Sequence, residues 1–134
     1  YVIFCLMEAL NEREKAVKNS KLLVLGLAYK KDVDDIRESP SLVLMEMLDA
    51  KGAKVDYHDP YVPSIHRTRN HPGLSGRESV ALSPETLATY DAVLIATDHS
   101  SVDYAEVVAH SQLVVDTRNA TRAVTQGREK IKKA

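Results

Sequence analysis

Residues 21–41 read KLLVLGLAYKKDVDDIRESPS, and this stretch decides the fold. The apolar run from Leu22 to Leu25 predicts a short buried strand. Gly26 then lets the backbone turn, and Ser39 with Pro40 has the residue types that cap and open a helix. An apolar strand without alternation is typical of a sheet covered on both faces. We therefore predict a three-layer, Rossmann-like α/β domain with a mostly parallel sheet.

The loop between this strand and helix predicts a binding site. Its ten residues, 30–39, are mostly polar and include two lysines, an arginine and three aspartates. Connections between strands and helices are usually shorter, and open α/β sheets bind ligands beyond the carboxyl ends of their strands. A solvated loop, in which Lys30 and Arg37 pair with Asp34 and Asp35, is equally compatible with these charges, because exposed ion pairs contribute only about 0–1 kcal/mol.

The composition limits the possible functions. The chain has 134 residues, of which 44% are hydrophobic and 28% charged, with a net charge of -1. These values are typical of one globular domain without bulk attraction to nucleic acid or membrane. The single cysteine, Cys5, excludes an internal disulfide and lies among apolar residues, which favours a buried structural thiol. We expect a cytoplasmic location, since no apolar stretch approaches the roughly 18 residues of a membrane span.

The first residues, YVIFCLM, contain neither an initiator methionine nor the features of a signal peptide. We expect the chain to be part of a longer protein. The pattern predicts a helix over residues 2–17, and seven consecutive apolar residues exceed a single buried stripe. We therefore assign residues 1–20 to a linking helix that a missing domain or a second subunit covers, and residues 21–134 to the α/β domain.

The remaining elements alternate between helices and strands. The second helix begins after Ser39 and ends before Gly52, and residues 61–79 predict a mobile loop because they lack an apolar period. Further strands are predicted over residues 53–58, 79–82, 91–96 and 113–115, further helices over 83–90 and 103–110, and a weak edge strand in the terminal KIKKA.

Polar residues follow three of the predicted strands, and in a parallel sheet the three loops meet at one edge. Lysine binds phosphate as a point charge, and arginine offers a planar fork of donors. The pattern therefore favours a phosphorylated ligand. The residues expected to converge are Lys30, Lys31, Arg37, His99 and Arg118, with Asp34, Asp35 and Asp98 among them.

Other kinds of site are less well supported. A dinucleotide fingerprint is absent, because Ala28 and Lys31 occupy two of its glycine positions. Asp59, which precedes Pro60, suits a turn as well as a nucleotide contact. The pair Asp34 and Asp35 lies too far beyond the strand for a rigid phosphoacceptor.

The histidines do not predict a metal site. His58, His66, His71 and His110 lack metal-ligand spacing and are interpreted as surface or loop residues. Only His99 follows a strand at the predicted binding edge, and for it a functional and a structural role remain equally open.

Four motifs together resemble a known family: LGLAYKKDVDDIRESPS, YHDPYVP, DAVLIATDH and VVDTRNA, in this order and spacing. Residues 21 to about 122 resemble the C-terminal, UDP-binding domain of the UDP-glucose/GDP-mannose dehydrogenase family. Within the family, the residues of these motifs are most similar to those of UDP-N-acetylglucosamine and UDP-N-acetylmannosamine 6-dehydrogenases. Residues 1–18 resemble the end of the long central helix that helps to build the family's dimer.

The resemblance implies an NAD-dependent, two-step oxidation of a sugar C6 alcohol to a carboxylate. The catalytic cysteine and the NAD fingerprint belong to family motifs that this chain does not contain, so no catalytic residue is expected here and the fragment should be inactive alone. By position, Lys30 and Arg118 match substrate-binding residues, and Arg37 matches an arginine that contacts NAD. A non-enzymatic nucleotide-binding module and a purely structural dimerisation domain remain as alternatives.

Overall fold

A computed structural model describes residues 1–37, 39–66 and 70–134. It contains a five-stranded sheet in the order β2-β1-β3-β4-β5, with every neighbouring pair parallel. This confirms the predicted Rossmann-like α/β fold. In chain order, the helices and strands are α1 (Val2–Asn11), β1 (Lys21–Leu25), α2 (Pro40–Ala50), β2 (Lys54–His58), α3 (Pro84–Ala88), β3 (Ala92–Ile95), α4 (Tyr104–His110), β4 (Val114–Asp116) and β5 (Ile131–Lys133).

Two apolar cores lie on opposite faces of the sheet. Leu22 and Val24 of β1 belong to the core that contains α1 and α2. Leu23 and Leu25 point to the other face, where they pack with α3 and α4. Because β1 is buried on both sides, its run of apolar residues does not alternate.

Side-chain caps start the helices where the Ser-Pro pairs predicted them. Ser39 accepts a hydrogen bond from the Ser41 N–H, and Ser83 accepts one from the Thr86 N–H. The Ser39 hydroxyl also donates to the Leu27 carbonyl at 2.7 Å. The start of α2 is thereby attached to the loop that follows β1.

The first helix is shorter than predicted. It ends at Asn11 instead of residue 17, because Glu14 adopts a left-handed conformation with φ of 60°. The Lys15 N–H then bonds the Leu10 carbonyl, and the Glu14 N–H bonds that of Asn11, which is the Schellman pattern of a helix end. Lys15 lies beyond the end of α1, and its ammonium pairs with Asp91 at 2.7 Å, at the amino end of the sheet.

The segment 61–79 is irregular, as predicted, but its described part is anchored to the core. Val62, Ile65 and Leu74 are buried. Arg77 also pairs with Asp49 of α2 at 2.6 Å. Residues 67–69 of this segment, like Glu38, lie outside the described residues.

The predicted strand over residues 79–82 is wrong. These residues form a single parallel bridge, between Ser79 and Tyr57 of β2. The predicted edge strand at the C-terminus is confirmed as β5, which among the described strands pairs only with β4.

Helix α1 buries one side and exposes the other. Leu6 and Leu10 are fully buried and Cys5 is buried and unpaired, as predicted for a structural thiol. Tyr1 and Phe4 are 87% and 61% exposed. The described part of the chain has no helix that could span a lipid bilayer.

Candidate functional site

The connections from β1 and β3 leave this sheet on opposite faces. The chain passes from β1 to α2 on one side, and from β3 to α4 on the other, although β1 and β3 are neighbours. Such a switch point opens a crevice between the carboxyl ends of the two strands, where α/β proteins of this strand order bind ligands. The structure thus brings the loops after β1, β3 and β4 to one edge, as the sequence predicted.

The loops after β1 and β3 are in direct contact. Gly26 has φ of 88° and packs against Thr97. The Thr97 hydroxyl donates to the Ala28 carbonyl at 2.7 Å. These contacts hold the first residues of the binding loop against the end of β3.

A buried carboxylate, Asp59, receives the backbone N–H groups that follow β1. Its Oδ2 accepts from Leu27 at 2.7 Å and from Ala28 at 3.0 Å, and its Oδ1 accepts from the Tyr61 N–H at 2.8 Å. In dinucleotide-binding domains the N–H groups of this loop face a phosphate. Here the Asp59 carboxylate accepts these N–H groups in place of a phosphate, which agrees with the absence of the glycine fingerprint from the sequence.

His99 is fully buried and joins two loops. Its Nδ1 accepts from the Asp32 N–H at 2.7 Å, so its proton is on Nε2, which lies 2.8 Å from Asp59 Oδ2. The structure therefore gives His99 hydrogen bonds within the protein on both ring nitrogens. These bonds are those of a residue that holds two loops together.

Asp32 continues the same network towards the solvent. Its carboxylate accepts from the Ser100 N–H and from the Ser100 hydroxyl, each at 2.7 Å. These hydrogen bonds lower the pKa of Asp32, with a smaller contribution from the nearby Lys31. Asp32 also adopts a left-handed conformation, with φ of 62°.

The solvated-loop alternative is right for Arg37 and wrong for Lys30. Arg37 forms a two-point contact with Asp35, with both nitrogen–oxygen distances at 3.2 Å, and its side chain is 88% exposed. These hydrogen bonds lower the pKa of Asp35. Within the described part of the chain, neither Lys30 nor Asp34 forms an ion pair, and the Lys30 ammonium stands 6.0 Å from the Tyr29 ring centre.

Arg118 is oriented by the end of β4. Its backbone N–H bonds Asp116 Oδ1 at 3.0 Å, and its Nε donates to the Ala96 carbonyl, also at 3.0 Å. Burial acts to raise the pKa of Asp116, but hydrogen bonds from Thr121, Arg118 and Ala120 lower it below its usual value. In the described residues, the terminal nitrogens of Arg118 have no hydrogen-bond partner, and they remain available to a ligand.

Described residues line two pockets near this edge. The smaller, of about 270 Å³, opens where the three loops meet, and Lys31, Asp98 and Arg122 are in its wall. The larger, of about 460 Å³, is mostly apolar and lies between α3 and α4. Neither of these two pockets is lined by Lys30, Arg37 or Arg118, and all three residues are exposed.

Of the other four histidines, His66 is exposed, and the remaining three make contacts within the protein. His58 donates to the Val80 carbonyl at 2.6 Å, His110 lies 3.0 Å from Glu106, and His71 pairs with Glu46. Among the described residues, no group of three or more histidines, cysteines or carboxylates could hold a metal ion.

Residues 23–123 match the model of the UDP-glucose/GDP-mannose dehydrogenase family, UDP binding domain. The chain belongs to this family. A UDP-N-acetyl-D-mannosamine dehydrogenase from Pyrococcus horikoshii is 30% identical over 119 residues, which are 85% of this chain and 25% of the relative. A UDP-glucose 6-dehydrogenase from Gallus gallus is 40% identical over 67 residues, 48% of this chain and 14% of the relative.

Solved structures of dehydrogenases contain the same fold. A UDP-D-ManNAc dehydrogenase from Pyrococcus horikoshii superposes with a TM-score of 0.75 at 27% identity, covering 98% of this chain and 29% of the other. An NDP-N-acetyl-D-galactosaminuronic acid dehydrogenase from Methanosarcina mazei gives 0.76 at 25% identity, covering 98% and 28%. The chain thus spans roughly a quarter of the relatives that it matches along most of its own length.

The sequence of this dehydrogenase-family domain did not reveal the polar network beneath the binding edge. Asp32, Asp59 and Asp116 each accept several hydrogen bonds there. The sequence predicts a turn or a nucleotide contact for Asp59, and the turn describes only its bond to Tyr61. One signal was present: Asp59 follows the last residue of β2, and Asp116 is the last residue of β4, where backbone N–H groups of the next loop need acceptors.

Proposed function

We propose that this domain is the UDP-sugar-binding lobe of an NAD-dependent nucleotide-sugar 6-dehydrogenase. The reaction would oxidise the sugar C6 alcohol of a UDP-N-acetylglucosamine or UDP-N-acetylmannosamine to a carboxylate, for surface-polysaccharide precursors. The observation that carries the proposal is the family match across the carboxyl edge, where Lys30 and Arg118 present cationic groups without ion pairs to the described residues.

Each basic residue has a distinct proposed role. Lys30 neutralises the diphosphate as a point charge, and Arg118 holds the nucleotide with the terminal nitrogens that its bond to Ala96 leaves available. Tight binding of the distant nucleotide positions the sugar for reaction elsewhere. Arg37, at the far end of the same loop, reaches towards NAD.

NAD fits a second lobe better than this one. The N–H groups after β1, which would hold a dinucleotide phosphate, are already bonded to Asp59. We therefore assign NAD mainly to an N-terminal lobe, which also supplies the catalytic cysteine. When bound there, NAD accepts the hydride from the sugar. The role of this domain is to bind and orient the substrate, and it contributes no catalytic residue.

The proposed sugar type rests on how much of this chain each relative aligns with. The UDP-N-acetyl-D-mannosamine dehydrogenases of Pyrococcus horikoshii and Escherichia coli align with 85% and 86% of this chain, whereas the Gallus gallus UDP-glucose enzyme aligns with 48%. The exposed side of α1, with Tyr1, Phe4 and Met7, supports a homodimer or larger homo-oligomer, or contact with the N-terminal lobe. The unpaired Cys5 agrees with the reducing cytoplasm that we propose as the location.

Calorimetric titration with UDP at low salt tests the proposal. The unaltered chain should bind UDP saturably, and both Lys30→Ala and Arg118→Ala should weaken binding. Lys54→Ala is the matched control, because Lys54 is an exposed lysine at the opposite, amino-terminal end of the sheet. Equal binding by all four proteins would contradict the assigned site. No binding by either this chain or the full-length protein would contradict UDP as the ligand.

A further inference from the structure

We propose that His99 is a positioning residue for Lys30, holding the loop after β1 in the shape that binds the diphosphate. The inference rests on the proposed function, because it takes Lys30 as a UDP contact. It concerns a buried side chain that touches neither substrate nor cofactor. His99 would therefore act on the substrate only through the loop that carries Lys30.

Hydrogen bonds fix the backbone on both sides of Lys30. Before it, the Ala28 N–H bonds Asp59 at 3.0 Å and the Ala28 carbonyl accepts from Thr97 at 2.7 Å. After it, the Asp32 N–H bonds His99 Nδ1 at 2.7 Å. Lys30 thus lies in a short span whose two ends are tied to β2 and β3 through buried groups.

A histidine suits this position for a geometric reason. The Asp32 N–H requires an acceptor, whereas the Asp59 carboxylate requires a donor, and an imidazole with one proton offers both on opposite sides of a rigid ring. The His99 and Asp59 side chains are 1% and 0% exposed, so the hydrogen bond between them is closed to water. Loss of either bond would leave a buried ring nitrogen of His99 unpaired.

The expected consequence is reduced preorganisation of the loop. A loop that samples several shapes must be ordered when the ligand binds, and this ordering lowers affinity without removing any direct contact. The loss should therefore depend on Lys30, the residue being positioned. A general weakening of the fold would instead lower UDP affinity whether or not Lys30 is present.

Two conservative substitutions separate the two bonds of His99. In His99→Asn, the amide oxygen lies near the position of Nδ1 and can still accept from the Asp32 N–H. In His99→Gln, the amide nitrogen lies near the position of Nε2 and can still donate to Asp59, but the link to Asp32 is broken. We expect UDP affinity to fall about tenfold in His99→Gln and less than threefold in His99→Asn.

A double-mutant cycle with Lys30→Ala tests the inference by calorimetry of the chain with UDP. His99→Gln should weaken binding about tenfold with Lys30 present, and less than twofold in the Lys30→Ala background. His110→Gln, a histidine on α4 outside this network, is the control and should change neither value. An equal loss in both backgrounds, or no loss in either, would overturn the role of His99.

A second variant and UDP binding by the unaltered protein distinguish failure of this inference from misfolding and from failure of the proposed function. If His99→Gln does not fold, Ser100→Ala replaces it in the cycle, because it removes a bond to Asp32 at the exposed end of the same network. We then expect about a threefold loss that again requires Lys30. If UDP binds the unaltered protein but the cycle shows no coupling, only the inference fails. If UDP does not bind the unaltered full-length protein, the proposed function fails with it.

Discussion

Gly26 lies so close to Thr97 that a side-chain carbon at position 26 would stand 2.4 Å from the Thr97 carbonyl oxygen. Gly26 also has φ of 88°, a conformation that other residues rarely adopt. The contact joins the ends of β1 and β3 at the point where the sheet opens towards its ligand. No larger residue fits here without moving one of the two loops.

Gly26→Ala should therefore lower the free energy of unfolding by about 2–5 kcal/mol. Left-handed strain contributes about 1–2 kcal/mol, and overpacking against Thr97 about 1–3 kcal/mol. Denaturant unfolding followed by circular dichroism measures the change. Gly76→Ala is the matched control, because Gly76 has φ of 86° but nothing within 4 Å of the added carbon. Equal effects of the two substitutions would show that the Thr97 contact is unimportant.

Acid should destabilise the domain through Asp116. Its pKa is lowered in the folded state, whereas an unfolded aspartate titrates near pH 4. The carboxylate therefore stabilises the fold above about pH 4, and this contribution is lost as the pH falls through the lower, folded pKa. Asp116→Asn should flatten the decline in stability below pH 4.

Thr121→Val refines this test. It removes the hydroxyl that donates to Asp116 Oδ2 at 2.6 Å but leaves the backbone donors in place. Its pH dependence, measured by urea unfolding between pH 2 and 7, should lie between those of the unaltered protein and Asp116→Asn. A decline as steep as that of the unaltered protein in both variants would assign the acid sensitivity to other carboxylates.

Tyr57 should contribute to the response to alkali. Burial, with the nearby charges of Asp59 and Glu78, raises the pKa of Tyr57 to about 12, compared with about 10 when unfolded. Its contribution to stability is therefore complete below pH 10 and is lost as the pH rises from 10 towards 12. Tyr57→Phe should reduce the decline in the free energy of unfolding over that interval.

The same substitution should cost about 1 kcal/mol at pH 7, because the Tyr57 hydroxyl donates to the Val62 carbonyl at 2.8 Å. Tyr29→Phe is the control at neutral pH, since the Tyr29 side chain is 46% exposed. It should change stability by less than about 0.5 kcal/mol. An unchanged stability of Tyr57→Phe at pH 7 would contradict the importance of this bond.

Arg118 and Arg37 should have separable effects in the full-length enzyme. Arg118→Ala should weaken UDP binding by about 1.5–3 kcal/mol through lost charged hydrogen bonds. Arg37→Ala should leave UDP affinity unchanged but impair NAD-dependent turnover. Titration with UDP and steady-state kinetics with varied NAD distinguish the two. An equal loss of UDP affinity in both variants would refute this division of roles.

Local patterns in the sequence predicted most of the fold. The apolar runs at β1 and β3 and the Ser-Pro pairs before α2 and α3 mark their elements without reference to the rest of the chain, because burial and capping depend on nearby residues. The end of α1 was missed, since Glu14 is not a residue type that signals a left-handed helix end. The structure of residues 70–79 depends on long-range bonds such as that between Arg77 and Asp49.

By itself, the sequence predicted the parallel sheet and the basic residues in the loops at the carboxyl ends of its strands, because both follow from element types and their spacing. Only the tertiary structure decided what lies beneath that edge. Asp59 and His99 are 40 residues apart, and His99 and Asp32 are 67 apart. Hydrogen bonds across such separations depend on how the strands are placed side by side, which no local pattern of residues records.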